Sequence, residues 1–294
     1  MSTILKWAGN KTAIMPELKK HLPAGQRLVE PFAGSCAVMM ATDYPHYLVA
    51  DVNPDLINLY QMIKSDVETF IYLAKKAYRE FAGEINYYEA RLIFNSSSIN
   101  MMDKAVFFLL LNRHGYRGLC RYNKKGHFNV PYGNYKTPYF PESEIRVFAE
   151  KAKRATFICA SYEETLAMLR AGDVVYCDPP YDGTFTDYHT GGFSEADQRQ
   201  LVSILSQKAK DGYAVVASNS YTQLTRDLYF NFGNFACYKV AAKRSMGVAA
   251  GDAKSAIELI AVLRPSVAYL DELPWFGFDP AAPVERKAGD GVQA

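Results

Sequence analysis

Two hydrogen-bond acceptors held rigidly beside a flat ring suit an exocyclic amine, and the stretch Val174–Tyr181, VVYCDPPY, supplies them. A short apolar run ends there on Asp178, then Pro179, Pro180 and Tyr181. Prolines cannot donate to a strand ladder, so the run must stop. Pro179 restricts Asp178 to extended backbone, and its carbonyl is expected to point outward. The carboxylate and that carbonyl would take the two hydrogens of an amino group on a flat base. The nitrogen lone pair would then leave ring conjugation and face an electrophile, with Tyr181 stacked on the ring. No protein nucleophile is required. Alternation points Cys177 to the opposite face, so it is expected to pack in the sheet. The plainer reading, a bare strand-ending turn, leaves an acid before two prolines unused.

A second constellation lies in the first half. VEPFAGS (Val29–Ser35) reads as strand, turn and helix, with Gly34 permitting a tight turn and close backbone approach. It is neither GxGxxG nor a phosphate-cradling GxxxxGK[ST] loop, so dinucleotides and nucleoside triphosphates are poorly supported. The next strand ends at Asp51 in VADVN, where a carboxylate can accept both hydroxyls of a ribose; the plainer reading is an acid that caps the following helix. Upstream, KWAGNK crowds Lys6, Trp7 and Lys11 before the first strand. A helix starting near Lys11 could carry its ammonium to a cofactor carboxylate, with Trp7 as an apolar wall. An ordinary helix start with a packed tryptophan is the alternative.

These residues need a sheet to bring them together. Runs at Arg27–Phe32, Tyr47–Asp51, Ala155–Ala160, Asp173–Asp178 and Tyr213–Ser218 are rich in valine and aromatics without clean alternation. Such runs suit strands covered on both faces. Helical stretches at Cys36–Ala41, Leu56–Lys64, Tyr162–Arg170 and Glu195–Lys210 separate them, which predicts an α/β fold. Ser194 as N-cap and Asp197 three residues on mark the start of the last helix. FACYKVAA and SAIELIAVL read as two late strands joined by a long loop. Between Asp51 and Ala155 roughly 80 to 90 residues exceed what a βαβ crossover needs. An inserted lobe over residues 67–141 is therefore expected. Residues 1–66 and 142–270 would form the main domain, and 271–294 an irregular tail.

Bulk properties bound the rest. The chain has 294 residues, half of them apolar (49%), enough for a full core. With 33 basic and 31 acidic residues the net charge is too small to name a partner, so only its distribution can. Five widely spaced cysteines without a CxxC pair predict a reduced, cytoplasmic chain with no disulfide framework and no structural zinc. The N-terminus lacks a signal-peptide core, and AVFFLLL (Ala105–Leu111), far too short to span a membrane, reads as a buried helix.

One stretch is biased strongly. From Lys104 to Pro141 there is no acidic residue, while Lys104, Arg113, Arg117, Arg121, Lys124, Lys125 and Lys136 alternate with Tyr116, Tyr122, Phe128, Tyr132, Tyr135 and Tyr139. A charge run is usually a solvated face. Here basic groups suit phosphates, an arginine suits guanine in the major groove, and aromatics can fill the stack left by an extruded base.

With KWAGNK, VEPFAGS, VADVN, LNRHGYRGLCRYNKKGHFNVPYG, DPPY and a late Ser218–Asn219 all present, nearly the whole chain resembles the Dam-type DNA adenine-N6 methyltransferases. The resemblance implies a Rossmann-like AdoMet-dependent methyltransferase fold, with a mixed seven-stranded sheet and an inserted, mainly helical target-recognition lobe. It implies transfer of a methyl group from S-adenosyl-L-methionine to a flipped adenine in double-stranded DNA, at GATC in well-known members, leaving S-adenosyl-L-homocysteine and using no metal. Asp178, Pro179, Pro180 and Tyr181 would bind the adenine. Trp7, Ala8, Lys11, Glu30, Phe32, Ala33, Gly34, Ser35, Asp51, Ser161, Tyr162 and Asp178 would hold the cofactor. Lys6, Asn112, Arg113, Tyr116, Arg117, Leu119, Arg121, Asn123, Lys124, Lys125, Pro131, Tyr135 and Lys136 would meet DNA. Within that set an aromatic at Tyr116 would insert into the duplex, and Leu119, Arg121 and Pro131 would read the half-site beyond the target. The expected setting is a monomer in the cytoplasm, on a bacterial nucleoid or in a phage-infected host.

Two departures stand out. Arg117 replaces the family's usual Asn after the inserting aromatic, and Asn10 replaces the second glycine of WAGGK. Rival readings are a methylase acting on cytosine N4 or on RNA adenine, a protein-glutamine methylase, and a noncatalytic DNA-binding module. Asp rather than Ser before the prolines disfavours the cytosine reading. The intact DPPY, Lys11 and Asp51 disfavour the noncatalytic one.

Overall fold

The computed structural model describes residues 3–7, 9, 11–181, 193–243 and 255–265. A 3-10 turn at Lys11–Ala13 leads into α1 (Met15–His21), β1 (Arg27–Glu30), α2 (Ala37–Ala41) and β2 (His46–Asp51). Helices α3 (Pro54–Ser65), α4 (Val67–Glu80), α5 (Glu84–Phe94) and α6 (Met101–His114) follow. A 3-10 turn at Tyr116–Gly118 and α7 (Glu142–Ala152) lead to β3 (Ala155–Cys159), α8 (Tyr162–Ala167) and β4 (Asp173–Cys177). The chain continues through α9 (Glu195–Lys210), β5 (Ala214–Ser220), α10 (Gln223–Arg226), a π-helical turn at Asp227–Phe232, β6 (Ala236–Lys243) and β7 (Ser255–Leu263).

The seven strands form one mixed sheet in the order β3-β2-β1-β4-β5-β7-β6. The first five are parallel, and β7 runs antiparallel between β5 and β6. Every residue of β4 is buried, as a strand covered on both faces requires. One face carries Leu28, Tyr176, Val216 and Ile260, and the other carries Val175, Cys177, Ala217 and Leu259. Cys177 thus lies on the face away from Tyr176, as alternation required. Strand order reverses between β1 and β4, so the carboxyl ends of these two strands flank the crevice where such sheets bind ligands.

Local chemistry sets the helix ends that matter here. Ser194 and Asp197 form a reciprocal capping box at the start of α9, where the sequence placed it. Asn53 caps α3 by accepting from the Asp55 and Leu56 amides. Helix α8 stops at Ala167 rather than Arg170, because the Arg170 amide turns to the Asp173 carboxylate at 2.7 Å. Arg27 clamps the same carboxylate and the Met168 carbonyl, so the turn before β4 is tied down.

Helices α4 to α6 build a helical lobe between β2 and α7. The AVFFLLL segment is its buried spine: Phe108, Leu109, Leu110 and Leu111 are inaccessible. Beyond α6, the irregular chain folds back on the lobe through bridges pairing Gly115 with Tyr132 and Tyr122 with Phe128. No helix among the described residues is long and apolar enough to cross a membrane. The loop expected between β6 and β7 and the expected tail both fall outside the described residues.

Candidate active site

Asp178 emerges where β4 stops, on the same face as Tyr176. Its Oδ1 accepts from Ser218 Oγ at 2.9 Å, and Ser218 Oγ lies 2.8 Å from the Tyr176 hydroxyl. Its Oδ2 is 2.8 Å from Lys11 Nζ. Burial pushes the Asp178 pKa up, and the Lys11 ammonium and Ser218 hydroxyl offset part of that rise. Tyr181 lies with its ring 4.6 Å from Lys11 Nζ and donates its hydroxyl to Glu258 at 2.9 Å. The Pro180 carbonyl is taken by Gln198 Nε2 at 2.7 Å, and Gln198 in turn accepts from Asn219. Among the described residues no donor reaches the Pro179 carbonyl.

The turns after β1 and β2 are stitched together beside this cluster. Asp51 accepts from the Gly34 amide at 3.1 Å and the Asn53 amide at 3.0 Å. Asn53, not Asp51, therefore caps α3. Gly34 has φ +45°, and a Cβ there would lie 2.8 Å from Trp7 Nε1, so the tryptophan packs directly on the turn. The Tyr60 hydroxyl donates to the Gly34 carbonyl. Ala33 and Ser35 are buried in the same turn. Phe32 stacks on Tyr162 with centroids 5.6 Å apart, and Phe193 meets both rings edge-on. Ser161 spends its side chain on the α8 capping box with Glu164. Ala8 and Asn10 lie outside the described residues.

Glu30 is the unusual member. It ends β1 beside Asp178, is 2% exposed, and its Oε1 has no partner. Burial, then the Asp178 charge, pushes its pKa up to about 8, so it is mostly protonated near neutrality.

An adenosyl amino acid fits this set. The Gly34 cradle and the Trp7, Phe32 and Tyr162 rings offer flat apolar walls; Asp51 carries carboxylate lone pairs for hydroxyls; Lys11 is a cation; Glu30 is a buried polar group with an unused oxygen. Lys11, expected near a cofactor carboxylate, is paired with Asp178 in this structure.

The basic stretch divides into exposed and internal residues. Tyr116, Arg117, Lys124, Lys125, Pro131 and Lys136 are exposed, and Leu119 is half-buried. Arg117 holds φ +54° and lies over the Tyr116 ring at 5.1 Å. That left-handed backbone suits Asn better than Arg, which gives a physical reason for the family's usual residue. Arg121 directs Nε and Nη2 onto Asn129, at 2.8 Å and 3.3 Å, which leaves the Nη1 end of its fork pointing away from that contact. The Asn123 side chain accepts from the Lys125 and His127 amides and shapes their turn. Lys6 Nζ stands 3.6 Å from the Tyr135 centroid.

Two expected DNA residues are placed inside. Asn112 is fully buried; its amide grips the Lys6 backbone on both sides and the Gly118 carbonyl, an internal clamp. Arg113, 7% exposed, sends Nε and Nη2 to the Ile4 and Thr3 carbonyls. Both residues pin the N-terminal segment to α6.

Ser218, Tyr176, Gln198 and Glu258 carry no predicted role in the sequence reading. Their signal was present: polar Ser218–Asn219–Ser220 closing an apolar strand, and a lone acid inside SAIELIAVL. Among the described residues no group of three metal-ligating side chains gathers.

A family model described as D12 class N6 adenine-specific DNA methyltransferase matches residues 7–246. The chain is 64% identical over 289 residues to the retron Ec67 DNA adenine methylase of Escherichia coli, covering 98% of each protein. It is 47% identical over 249 residues to the DNA adenine methylase of Serratia marcescens, covering 82% of this chain and 91% of that one. Against the DNA adenine methylase of Escherichia coli K12 it is 42% identical over 272 residues, covering 90% and 95%.

Proposed function

Because the chain belongs to the D12 class of N6 adenine-specific DNA methyltransferases and is an AdoMet-dependent enzyme of that kind, we propose that it methylates the adenine of GATC in duplex DNA. In this reading Asp178 and Tyr181 receive the flipped base. The observation that carries it is the Asp178 carboxylate at the strand-order reversal, with Tyr181 beside it and the Gly34–Asp51 turns alongside. When bound, S-adenosyl-L-methionine supplies an electrophilic methyl group on a sulfonium.

The chain's own residues do the rest. Gly34, Trp7, Phe32, Tyr162 and Asp51 hold the adenosyl portion. Ser218 and Tyr176 fix the Asp178 rotamer. Asp178 and the Pro179 carbonyl accept the hydrogens of N6, aim its lone pair away from the ring, and stabilise the charge that develops on nitrogen. Tyr181, anchored by Glu258, faces the base. Positioning in a site shielded from water then supplies the rate.

Residues 67–141 are the proposed DNA lobe. Tyr116 wedges into the duplex, and unstacking costs a few kcal/mol, offset by the pocket and groove contacts. Arg121 presents the Nη1 end of its fork to a guanine of GATC while Asn129 holds the other edge. Lys124, Lys125 and Lys136 meet phosphates. The enzyme is proposed to act as a monomer on cytoplasmic DNA.

The test is modified-base sequencing of DNA from a methylation-deficient host expressing the protein, with Asp178→Ala as control. N6-methyladenine confined to GATC, and lost with Asp178→Ala, is expected. N4-methylcytosine, or a different adenine motif, would refute the assignment.

A further inference from the structure

Lys11 occupies the place where the amine of the target base is expected. Its Nζ contacts Asp178 Oδ2 at 2.8 Å, lies 4.6 Å from the Tyr181 centroid, and also bonds the Gly9 carbonyl. The residue is 4% exposed, so this is an enclosed contact, not a surface pair. The other Asp178 oxygen is already engaged by Ser218. An ammonium therefore fills the two interactions, carboxylate and aromatic face, on which a flipped adenine would depend.

The two occupants exclude each other. A charged donor on a carboxylate is roughly twice as strong as a neutral one, so a neutral adenine amine does not displace Lys11 by itself. Lys11 needs a second anion within reach. Among the acids at this end of the sheet, Glu30 is mostly uncharged near neutrality, Glu258 accepts from Tyr181, and Asp51 accepts from the Gly34 and Asn53 amides. The carboxylate at the amino-acid end of the cofactor is the anion that the site's chemistry otherwise lacks.

We propose that Lys11 sets the order of binding: it closes the Asp178–Tyr181 seat in the cofactor-free enzyme and vacates it only for the cofactor carboxylate. This rests on the function proposed above. The consequence is that the base enters the pocket after the cofactor, so DNA scanning without cofactor does not trap an extruded adenine. Lys11 is then a gate as well as a cofactor contact.

The test follows base extrusion, not turnover. A GATC duplex carrying 2-aminopurine at the target position is mixed with enzyme alone, with sinefungin, or with saturating 5′-methylthioadenosine. The last has the nucleoside but no amino-acid carboxylate. Wild type is expected to brighten with sinefungin and to stay dark alone or with methylthioadenosine. Lys11→Met is expected to brighten without any cofactor and to bind sinefungin about tenfold more weakly. Brightening of wild type alone, or equally with methylthioadenosine, would overturn the gate without touching the flipping model. So would a Lys11→Met enzyme that binds the duplex but stays dark until sinefungin is added. The methylthioadenosine arm uses only wild-type protein and stands even if the variant misfolds. Wild type that stays dark with sinefungin, yet methylates the matching duplex with adenine at the target position when given S-adenosyl-L-methionine, would sink the flipped-base model and the gate with it.

Discussion

Glu30→Gln in the cofactor-free protein should convert a pH-dependent stability into a flatter one. The wild-type carboxyl is buried at the carboxyl end of β1, and burial together with the Asp178 charge raises its pKa from 4.5 to about 8. The sign follows from proton counting. Between those values the folded protein keeps a proton that the unfolded chain releases, so stability falls as pH rises, by about 1.4 kcal/mol per unit. The full window is worth at most about 5 kcal/mol. The loss is complete once pH passes the folded value. Glutamine keeps the shape and cannot ionise. Asp178, whose pKa is also raised, contributes in the same direction to both proteins and largely cancels in their difference. The two proteins should match within about 1 kcal/mol near pH 5, and the variant should lead by about 3–4 kcal/mol near pH 8. At about 2–4 °C per kcal/mol that lead is roughly 10 °C in melting temperature. Thermal melts of both proteins at four pH values decide it. A constant offset between them across this range would refute the buried, protonated Glu30.

Ser218→Ala should lower kcat about ten- to a hundredfold, the worth of one hydrogen bond to a charged group, with the DNA KM unchanged; an unchanged kcat would remove Ser218 from the positioning of Asp178. Arg121→Ala should cost about 1–3 kcal/mol of discrimination at one base pair, and Asn129→Ala a smaller loss at the same pair. Equal rates on all singly altered sites would exclude that reading. Lys124→Ala or Lys125→Ala should weaken cognate and noncognate binding together and reduce the salt slope by about 0.9, whereas a loss confined to GATC would contradict a phosphate role. Arg117→Asn should raise stability by about 1 kcal/mol through relief of the left-handed backbone, and a lower melting temperature would show that Arg117 makes a stabilising contact outweighing that strain.

What could be read before folding was local. Two prolines end β4 and leave Asp178 at its tip, because a residue without an amide hydrogen cannot extend the ladder. Ser194 and Asp197 start α9 because a capping box needs only four consecutive residues. The parallel core strands were legible as unbroken apolar runs, and the lobe as surplus chain between two of them. Partners distant in sequence were not legible. Lys11 meets Asp178, and Ser218 meets Tyr176, only because β1, β4 and β5 lie side by side at the point where strand order reverses. Asn112 sits in a polar, basic stretch and reads as a surface residue, yet the N-terminal segment laid on α6 buries it completely. Glu30 is expected from the resemblance only as a cofactor contact, and the packing that buries it at the end of β1 is what withholds the water that would let it ionise. Residue types and short spacings settle which chemistry is available. Which donor occupies which acceptor, and in what charge state, is settled by burial and proximity, and those exist only in the folded chain.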